Sequence, residues 1–293
     1  MTRFLRYIVG PALIGVVIVI AGYFLVLPNL GRSVQAVDLR DLTGDAKRGA
    51  YLAVAAGCLT CHTDYKKKGK LLAGGPAIKT PFGTFYGPNI TPDTTHGIGG
   101  WTLKQFSKAL TAGIAPDGTH YFPSFPYTSY AEMKPQDIAD IKSYLDTVAP
   151  VTQPSRSHDL SWPFSDRSAV GAWKMLNFGA TRDQEMSRGA YLVHVLGHCG
   201  ECHTQRDMLG GKTGLPLAGN TNGPGGAKVP GLRQLATDGT PWTADNIKLS
   251  LQVGMKPNGD FLGDTMAEVV AHSTGKLSDE DRSAMATYLL SLE

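Results

Sequence analysis

The chain has 293 residues, of which 28 are lysine or arginine and 25 are aspartate or glutamate, so its formal net charge is only +3. So small a charge gives no electrostatic indication of nucleic-acid binding. The length favours two modest domains over one, and the 35 glycines and 18 prolines favour ordered loops. Because few runs alternate β-branched and polar residues, we predict an all-α fold of helices and loops.

The N-terminal region contains an uncharged apolar run at 8–27, which follows Arg3 and Arg6. Twenty helical residues at about 1.5 Å each match a hydrocarbon layer of roughly 30 Å. We therefore predict one transmembrane helix within residues 1–30, with the N-terminus in the cytoplasm by the positive-inside rule. A cleaved signal peptide is the alternative, although its apolar core is usually shorter. A polar linker at 31–44 follows.

All four cysteines fall in two copies of the pattern Cys-x-x-Cys-His, at 58–62 and 199–203. This pattern is the attachment signature of c-type haem. Two thiols one helical turn apart reach the two vinyl groups of a porphyrin, and the next histidine reaches the iron. The predicted haem-binding residues are Cys58, Cys61, His62, Cys199, Cys202 and His203. Two covalently bound haem c groups indicate redox chemistry.

Other uses of paired cysteines fit this pattern less well. A four-cysteine zinc site usually has closer spacing between its pairs. A thioredoxin-like pair needs a neighbouring strand–helix–strand pattern, and none is visible. A disulfide framework leaves the repeated histidine unexplained.

The two haem motifs belong to an internal repeat. Arg-Gly-Ala-Tyr-Leu precedes both motifs, at 48–52 and 188–192, and Trp-Thr follows both, at 101–102 and 242–243. The offset is 140 residues before the motif and 141 from the motif onward, because the second copy has one extra residue just before Cys199. Each half also closes with an amphipathic helical pattern. Each half is therefore predicted to be a small helical cytochrome c-like domain, whose first and last helices cross at the repeated glycine.

The repeat predicts a first domain at 45–150 and a second at 181–293, joined by a linker at 151–180. Four aromatic residues lie in this linker: Trp162, Phe164, Trp173 and Phe178. Aromatic side chains bury large apolar surfaces. We expect them to be buried between the two domains, with a partner protein as the alternative.

The far side of each iron needs a second axial ligand, and methionine there is typical of electron-transfer cytochromes. In the first domain Met133 is the candidate by elimination, because no other methionine lies between His62 and the end of that domain. His96 and His120 compete with it, but each is expected on a surface loop.

The second domain offers four methionines. Met208 lies too close to His203 to fold over the opposite face, and Met285 belongs to the closing helix. Met266 is preferred over Met255, because Met255 matches an isoleucine of the first domain that cannot be a ligand. The choice between Met255 and Met266 stays open. The predicted iron ligands are His62, Met133, His203 and Met266.

A backbone carbonyl usually orients such a histidine through its second ring nitrogen. Pro88 and Pro230 occupy matching places between each haem motif and the following tryptophan, so their carbonyls are candidates. The alternative is that both prolines only form turns.

The loops of the first domain resemble the cytochrome c subunits that accompany membrane-bound bacterial alcohol, aldehyde and sugar-acid dehydrogenases. The segments that carry the resemblance are 80–84, 89–93, 97–101, 116–118 and 125–130, with a more general match at 260–263 and 266–270. The resemblance covers roughly residues 45–290 and places Met133 in the family's methionine-ligand region. Many of those subunits carry three haems, whereas this chain has two haem motifs.

The resemblance implies an electron-transfer subunit, not an enzyme with a substrate of its own. Electrons would pass from a dehydrogenase catalytic subunit through this chain to quinone or to a terminal oxidase. A dihaem subunit of a haem-copper oxidase and a dihaem peroxidase are the alternatives. A solvated charge run is the commoner explanation for the lysines at 66–68 and 70, and docking of an acidic partner is the alternative. With the predicted anchor, we expect a single-pass protein of the bacterial inner membrane with its haem domains in the periplasm.

Overall fold

The computed structural model describes residues 11–19, 22, 37–179, 185–237 and 239–292, which are mostly α-helix and loop. The helices are α1 (11–19), α2 (Ala46–Ala55), α3 (Cys58–His62), α4 (Leu103–Ala112), α5 (Tyr127–Tyr130), α6 (Pro135–Leu145), α7 (Ser168–Asn177), α8 (Arg188–Tyr191), α9 (Gly200–His203), α10 (Ala244–Val253), α11 (Asp264–His272) and α12 (Asp279–Leu290). Helix α8 continues as a π-helical segment, Leu192–Leu196. We call 37–150 the first half, 151–179 the bridge and 185–292 the second half.

The first and last helices of each half cross at a glycine. In the first half α2 crosses α6 at Gly49, where a Cβ would lie 1.8 Å from the carbonyl oxygen of Asp140. In the second half α8 crosses α12 at Gly189, where a Cβ would lie 2.1 Å from the carbonyl oxygen of Ala284. A side chain at either position would force the two backbones apart. The predicted crossing is therefore confirmed in both halves.

A single apolar core runs through both halves. Its buried members include Leu52 and Ile138 from the first half and Leu192 and Met285 from the second. Each of these side chains is at most 2% exposed. Because the core does not stop at the boundary between the halves, burial of apolar surface stabilises their association as well as each half.

The fold is mostly α and not all-α as predicted, because it also contains two small sheets. Strands β1 (Ala77–Thr80) and β2 (Gly83–Tyr86) form an antiparallel hairpin, and β3 (Asp159–Leu160) of the bridge pairs with β2. Strands β4 (Ala236–Thr237) and β5 (Thr240–Pro241) form the second sheet. Four-residue strands are too short for alternation to be seen in the sequence, although Ile, Thr, Phe and Tyr in β1 and β2 favour pleated pairing.

The predicted membrane span requires a correction. Among the residues that the structure describes, no helix is long and apolar enough to cross a membrane. Of the predicted span at 8–27, the structure describes a helix only at 11–19, which at about 1.5 Å per residue is less than half of a hydrocarbon layer of roughly 30 Å. The rest of the span, apart from residue 22, lies outside the described residues. The predicted single-pass inner-membrane localisation is contradicted by this finding.

The bridge is fixed to the first half by a buried lysine. Lys174 in α7 is 1% exposed. Its Nζ donates hydrogen bonds to the carbonyl oxygens of Ala112 at 2.6 Å and Gly113 at 2.8 Å, and lies 3.0 Å from Nδ1 of His120. These carbonyls end helix α4, where the helix dipole favours a cation. Burial nevertheless lowers the pKa of Lys174 to about 7.

The same packing corrects two sequence-based expectations. His120, expected on a surface loop, is 2% exposed because Lys174 and the end of α4 enclose it. Trp162, expected to be buried, is 84% exposed. Trp173 does contact the second half, where its Nε1 donates to the carbonyl oxygen of Leu209 at 2.9 Å. The bridge thus reaches the second half through Trp173 of α7, whereas its first aromatic residue faces solvent.

A tyrosine hydroxyl of each half forms hydrogen bonds with the other half. Tyr51 of α2 donates to Oδ2 of Asp281 at 2.6 Å and accepts from the backbone N–H of Ser278 at 3.1 Å. Tyr191 of α8 donates to Oδ2 of Asp137 at 2.7 Å and accepts from the backbone N–H of Lys134 at 3.0 Å. Ser278 and Lys134 are the N-cap residues of α12 and α6. Each tyrosine therefore caps the closing helix of the opposite half, and we call these two contacts the tyrosine clasps.

An arginine from the same repeated segment completes each clasp. Arg188 binds Asp281 in a bidentate way, its Nε donating to Oδ1 at 2.8 Å and its Nη2 donating to Oδ2 at 2.6 Å. Arg48 binds Asp137 and Asp140. In each half the aspartate thus receives its own arginine and the other half's tyrosine. Satisfying a buried carboxylate with charged and neutral donors stabilises it in this position.

We expect Tyr191→Phe to lower the free energy of unfolding by about 1–3 kcal/mol. The substitution keeps the ring but leaves buried hydrogen-bonding groups of Asp137 and Lys134 without their partner. Denaturant unfolding followed by circular dichroism measures the change. Tyr65→Phe is the matched control, because Tyr65 crosses the same interface by stacking its ring on His272 at 3.7 Å. Equal effects of the two substitutions would contradict the role of the Tyr191 hydroxyl.

We also expect Asp281→Asn to change the acid stability. Burial acts to raise the pKa of Asp281, but the hydrogen bonds from Arg188 and Tyr51 outweigh it and hold the pKa below its ordinary value. A carboxylate with a lowered pKa stabilises the fold above its unfolded-state pKa, and this stabilisation is lost as the pH falls through the folded-state pKa. The variant should therefore be less stable than the parent at pH 7, and the two stabilities should converge toward pH 3.

The measurement is the free energy of unfolding between pH 7 and pH 3. Asp245→Asn is the control, because Asp245 is an exposed acidic residue in the first turn of α10. Its substitution tests the general effect of a charge at a helix N-terminus. Parallel pH profiles for the parent and the Asp281→Asn variant would show that the clasp carboxylate does not contribute.

Candidate haem sites

The two Cys-x-x-Cys-His motifs form short helices that start directly after the first helix of each half. In α3 and α9 the two cysteines of each motif lie one turn apart, and all four thiols are free of disulfides and half-buried. Among the described residues, no group of three or more His, Cys, Asp or Glu side chains is arranged to hold a metal ion. The geometry needed for attachment along one porphyrin edge is present in both motifs.

The four thiols lie in a desolvated environment. Burial raises the pKa of Cys58 to about 12, of Cys61 to about 11 and of Cys199 to about 12, and it also raises that of Cys202. The four cysteine residues are half-buried. This environment fits a haem bound covalently through both thiols of each motif.

Both motif histidines are oriented by a proline carbonyl. Nδ1 of His62 lies 2.7 Å from the carbonyl oxygen of Pro88, and Nδ1 of His203 lies 2.7 Å from that of Pro230. A carbonyl can only accept, so Nδ1 carries the proton and Nε2 keeps its lone pair for a metal. Burial also lowers the pKa of both histidines, which favours the neutral ring. The predicted carbonyl partners are confirmed.

The threonine after each histidine fixes the next loop. Oγ1 of Thr63 accepts from the backbone N–H of Leu72, and Oγ1 of Thr204 accepts from that of Leu217, each at 3.0 Å. The two threonines are 2% exposed. The sequence shows both threonines, but no pattern in it predicted this role. Their recurrence after both motifs was the available signal.

The two motifs face each other across the interface between the halves. Burial raises the pKa of Cys61, with a smaller contribution from the charge of Cys202 in the other motif. The extra residue of the second half, His198, packs against the start of the first motif. Its ring meets the ring of Tyr130 edge-on at 5.5 Å, and a Cβ at Gly57 would lie 3.3 Å from its Nε2.

Glu201, inside the second motif, links the two halves. Its Oε1 accepts from Oγ of Ser129 at 2.6 Å and from Oγ1 of Thr128 at 2.9 Å. Both donors belong to α5 of the first half. Glu201 is also paired with Arg206 and with Lys212 of its own half. The sequence gave no reason to single out Glu201, because the two middle positions of the motif carry no required chemistry.

The structure places the predicted methionines beside α6 and within α11. Met133 is 1% exposed and directly precedes Lys134, the N-cap residue of α6. Met266 is half-buried in α11. Met208 is 89% exposed, whereas Met285 is buried in the core, as the sequence analysis expected. The assignment of Met133 and Met266 as iron ligands remains a prediction.

The segments that carry these methionines each approach the opposite motif. Helix α5, just before Met133, contacts α9 through Glu201. Helix α11, which contains Met266, approaches the segment after α3, where Glu268 lies 3.2 Å from Nζ of Lys66 and His272 stacks on Tyr65. Lys66, proposed for docking a partner, is therefore paired within the chain. Each half thus contacts the motif region of the other half, through α5 in one case and α11 in the other.

Comparison with known proteins agrees with this geometry. The model of the family described as cytochrome c matches residues 46–149 and 187–293. The chain is 45% identical over 258 residues to a protein named diheme cytochrome c-type from Cereibacter sphaeroides, covering 85% of this chain and 86% of that protein.

Two dehydrogenase subunits are also similar. The chain is 41% identical to the fructose dehydrogenase cytochrome subunit of Gluconobacter japonicus, over 84% of this chain and 52% of that protein. It is 38% identical to the gluconate 2-dehydrogenase cytochrome c subunit of Pantoea cypripedii, over 86% and 61%. The chain thus spans between half and two thirds of these two subunits. It belongs to the cytochrome c family and consists of two tandem cytochrome c domains that carry two covalently bound haem c groups.

Proposed function

We propose that this chain is an electron-transfer subunit that receives electrons from a dehydrogenase catalytic subunit and delivers them to quinone or to a terminal oxidase. The observation that carries the proposal is the contact of both haem motifs across one interface, where His198 lies beside Gly57 and Glu201 binds Ser129 and Thr128. Relatives named as cytochrome subunits of fructose and gluconate dehydrogenases support the choice of donor. Substrate oxidation would belong to the catalytic subunit, so this chain would not be an enzyme by itself.

The proposal assigns one haem to each domain. The first domain, at 45–150, holds its haem through Cys58, Cys61 and His62, and the second, at 181–293, holds its haem through Cys199, Cys202 and His203. The segment at 31–44 and the segment at 151–180 serve as linkers. The matching contacts of both histidines with proline carbonyls support equivalent sites.

Haem c supplies a one-electron ferric–ferrous couple when bound. The protein keeps Nε2 of His62 and His203 unprotonated and correctly oriented through the proline carbonyls. The buried threonines, Thr63 and Thr204, hold the following loop against each motif. The tyrosine clasps keep the two motifs in a fixed relation. A rigid, dry setting of this kind requires little rearrangement when the charge of a site changes.

We further propose Met133 and Met266 as the second axial ligands. Methionine opposite histidine raises the potential of haem iron, because the thioether favours the ferrous form. Met133→Ala and Met266→Ala should therefore each convert one haem to high spin and lower its potential, as measured by visible absorption and redox titration. Met255→Ala should leave both haems unchanged. A spectral change in Met255→Ala but not in Met266→Ala would reject Met266 as the ligand.

The function is tested by isolating the chain from its native host and identifying the proteins bound to it. A dehydrogenase catalytic subunit should co-purify, and its substrate should reduce both haems, as followed by absorption of the reduced cytochrome. A Cys58→Ala/Cys61→Ala variant is the control and should show reduction of one haem at most. Co-purification with a haem-copper oxidase but no dehydrogenase, or rapid turnover of peroxide, would contradict the proposal.

A further inference from the structure

We propose that His198 is a positioning residue: its imidazole fills the contact between the two haem motifs and so fixes how the two haems approach each other for electron transfer. The inference goes beyond the proposed function, because it names the residue that controls the step between the haems. It rests on that function only in requiring that electrons pass from one haem to the other.

The first observation is the backbone conformation of His198. It directly precedes Cys199, as Gly57 directly precedes Cys58. Both residues lie in the left-handed region, with a φ of +66° for Gly57 and +38° for His198. Glycine adopts this region without steric cost, whereas a residue with a Cβ adopts it only at a cost. The second half therefore places a large side chain where the first half has none, and the contacts of that side chain must offset the cost.

The second observation is how the helix before His198 accommodates the extra residue. The segment Leu192–Leu196 is π-helical, and the backbone N–H of Gly197 donates to the carbonyl oxygen of Leu192 at 2.7 Å. The corresponding part of the first half belongs to the regular helix α2. A π-helical turn holds one more residue than an α-helical turn, and such turns occur frequently at functional sites. The added residue thus leaves the helix crossing and the motif in place and brings His198 to the position that Gly57 has in the first half.

The third observation is that the imidazole occupies the space beside Gly57. A Cβ at Gly57 would lie 3.3 Å from Nε2 and 3.9 Å from Cε1 of His198. The imidazole also meets the ring of Tyr130 edge-on at 5.5 Å. The hydroxyl of Tyr130 donates to the carbonyl oxygen of Ala56, the residue before Gly57. The left-handed residues of the two motifs are therefore packed against each other, and Tyr130 supports both.

The consequence follows from the position of this contact next to the attachment sites. Cys58 and Cys199 directly follow the two residues in contact, and consecutive Cα atoms are only about 3.8 Å apart. Any shift at the contact therefore shifts the two attached porphyrin edges relative to each other. Transfer between the haems oxidises one ferrous iron and reduces one ferric iron, and no bond is made or broken. Because its rate falls steeply with separation, the packing of His198 controls that rate.

His198→Gly is the direct test, because glycine accepts the left-handed backbone and only the imidazole is lost. Exchange spectroscopy by nuclear magnetic resonance on the half-reduced dihaem protein measures the rate of transfer between the haems of one molecule. We expect this rate to fall by at least about threefold, since a misplacement of about 1 Å can cost on the order of a hundredfold in a reaction that depends on position. The absorption spectrum of each haem should stay unchanged, because both motifs remain intact. A loss of stability alone would not produce this combination.

Gly57→Ala tests the same contact from the other motif. The added methyl group is strained by the left-handed backbone and also meets Nε2 of His198, whereas in a His198→Gly background only the backbone strain remains. In a double-mutant cycle, Gly57→Ala should therefore change the unfolding equilibrium constant by at least about twofold less in the His198→Gly background than in the parent. Equal changes in both backgrounds would show that the two residues do not press on each other and would overturn the proposal.

His194→Ala is the matched control. It removes an imidazole from the same segment, but one that meets the ring of Tyr288 in its own half, at 5.3 Å, so the transfer rate should not change. If His198→Gly fails to attach two haems, His198→Asn decides, because asparagine also adopts the left-handed region but is too short to fill the contact. An unchanged or raised rate in the variant with two haems overturns the role of His198. Absence of any transfer in the parent overturns this role and the proposed function together, whereas a parent that transfers electrons but binds no dehydrogenase overturns the proposed function alone.

Discussion

The arrangement of this molecule depends on the reciprocal capping of two helices. Each half places a tyrosine hydroxyl at the N-terminus of the other half's closing helix, where it meets a backbone N–H and an aspartate. The aspartate is held from its own half by an arginine. Neither clasp can form unless both halves are folded and in register. Association of the halves is therefore built into the same contacts that complete each helix crossing.

The tyrosine clasps determine where the haem motifs lie. Because each motif follows directly after the helix that carries its clasp tyrosine, fixing α2 and α8 also fixes α3 and α9. The motifs approach each other where His198 packs beside Gly57 and Glu201 accepts a hydrogen bond from Ser129. Helices α5 and α11, which precede the closing helices, each contact the motif region of the other half. Two redox centres in such a fixed and desolvated setting are suited to passing electrons along the chain.

Much of the site could be predicted from the sequence, because haem attachment requires particular residues at a particular spacing. The two motifs, the repeat, the helix crossing at Gly49 and Gly189 and the carbonyls of Pro88 and Pro230 follow from local constraints. The clasps could not be predicted in this way. Apolar periodicity shows that Tyr51 and Tyr191 are near a core, but it does not show which half supplies their partners.

Three other features were missed for physical reasons that can be named. The burial of His120 depends on Lys174, which is distant in sequence. Lys174 is held there by its hydrogen bonds to the carbonyl oxygens at the end of α4. Glu201 occupies a motif position that tolerates any residue, so only its three-dimensional partners reveal it. The membrane localisation was inferred from an apolar run and its flanking arginines, and among the described residues no helix is long and apolar enough to cross a membrane.

Electron paramagnetic resonance of the fully oxidised protein tests the central claim most directly, since two ferric haems held close together interact magnetically. We predict that the spectrum of the dihaem protein differs from the sum of the spectra of two variants, each lacking the cysteines of one motif, by the broadening that spin–spin coupling produces. A spectrum equal to that sum would show two independent centres and would contradict an interface in which the haem motifs face each other.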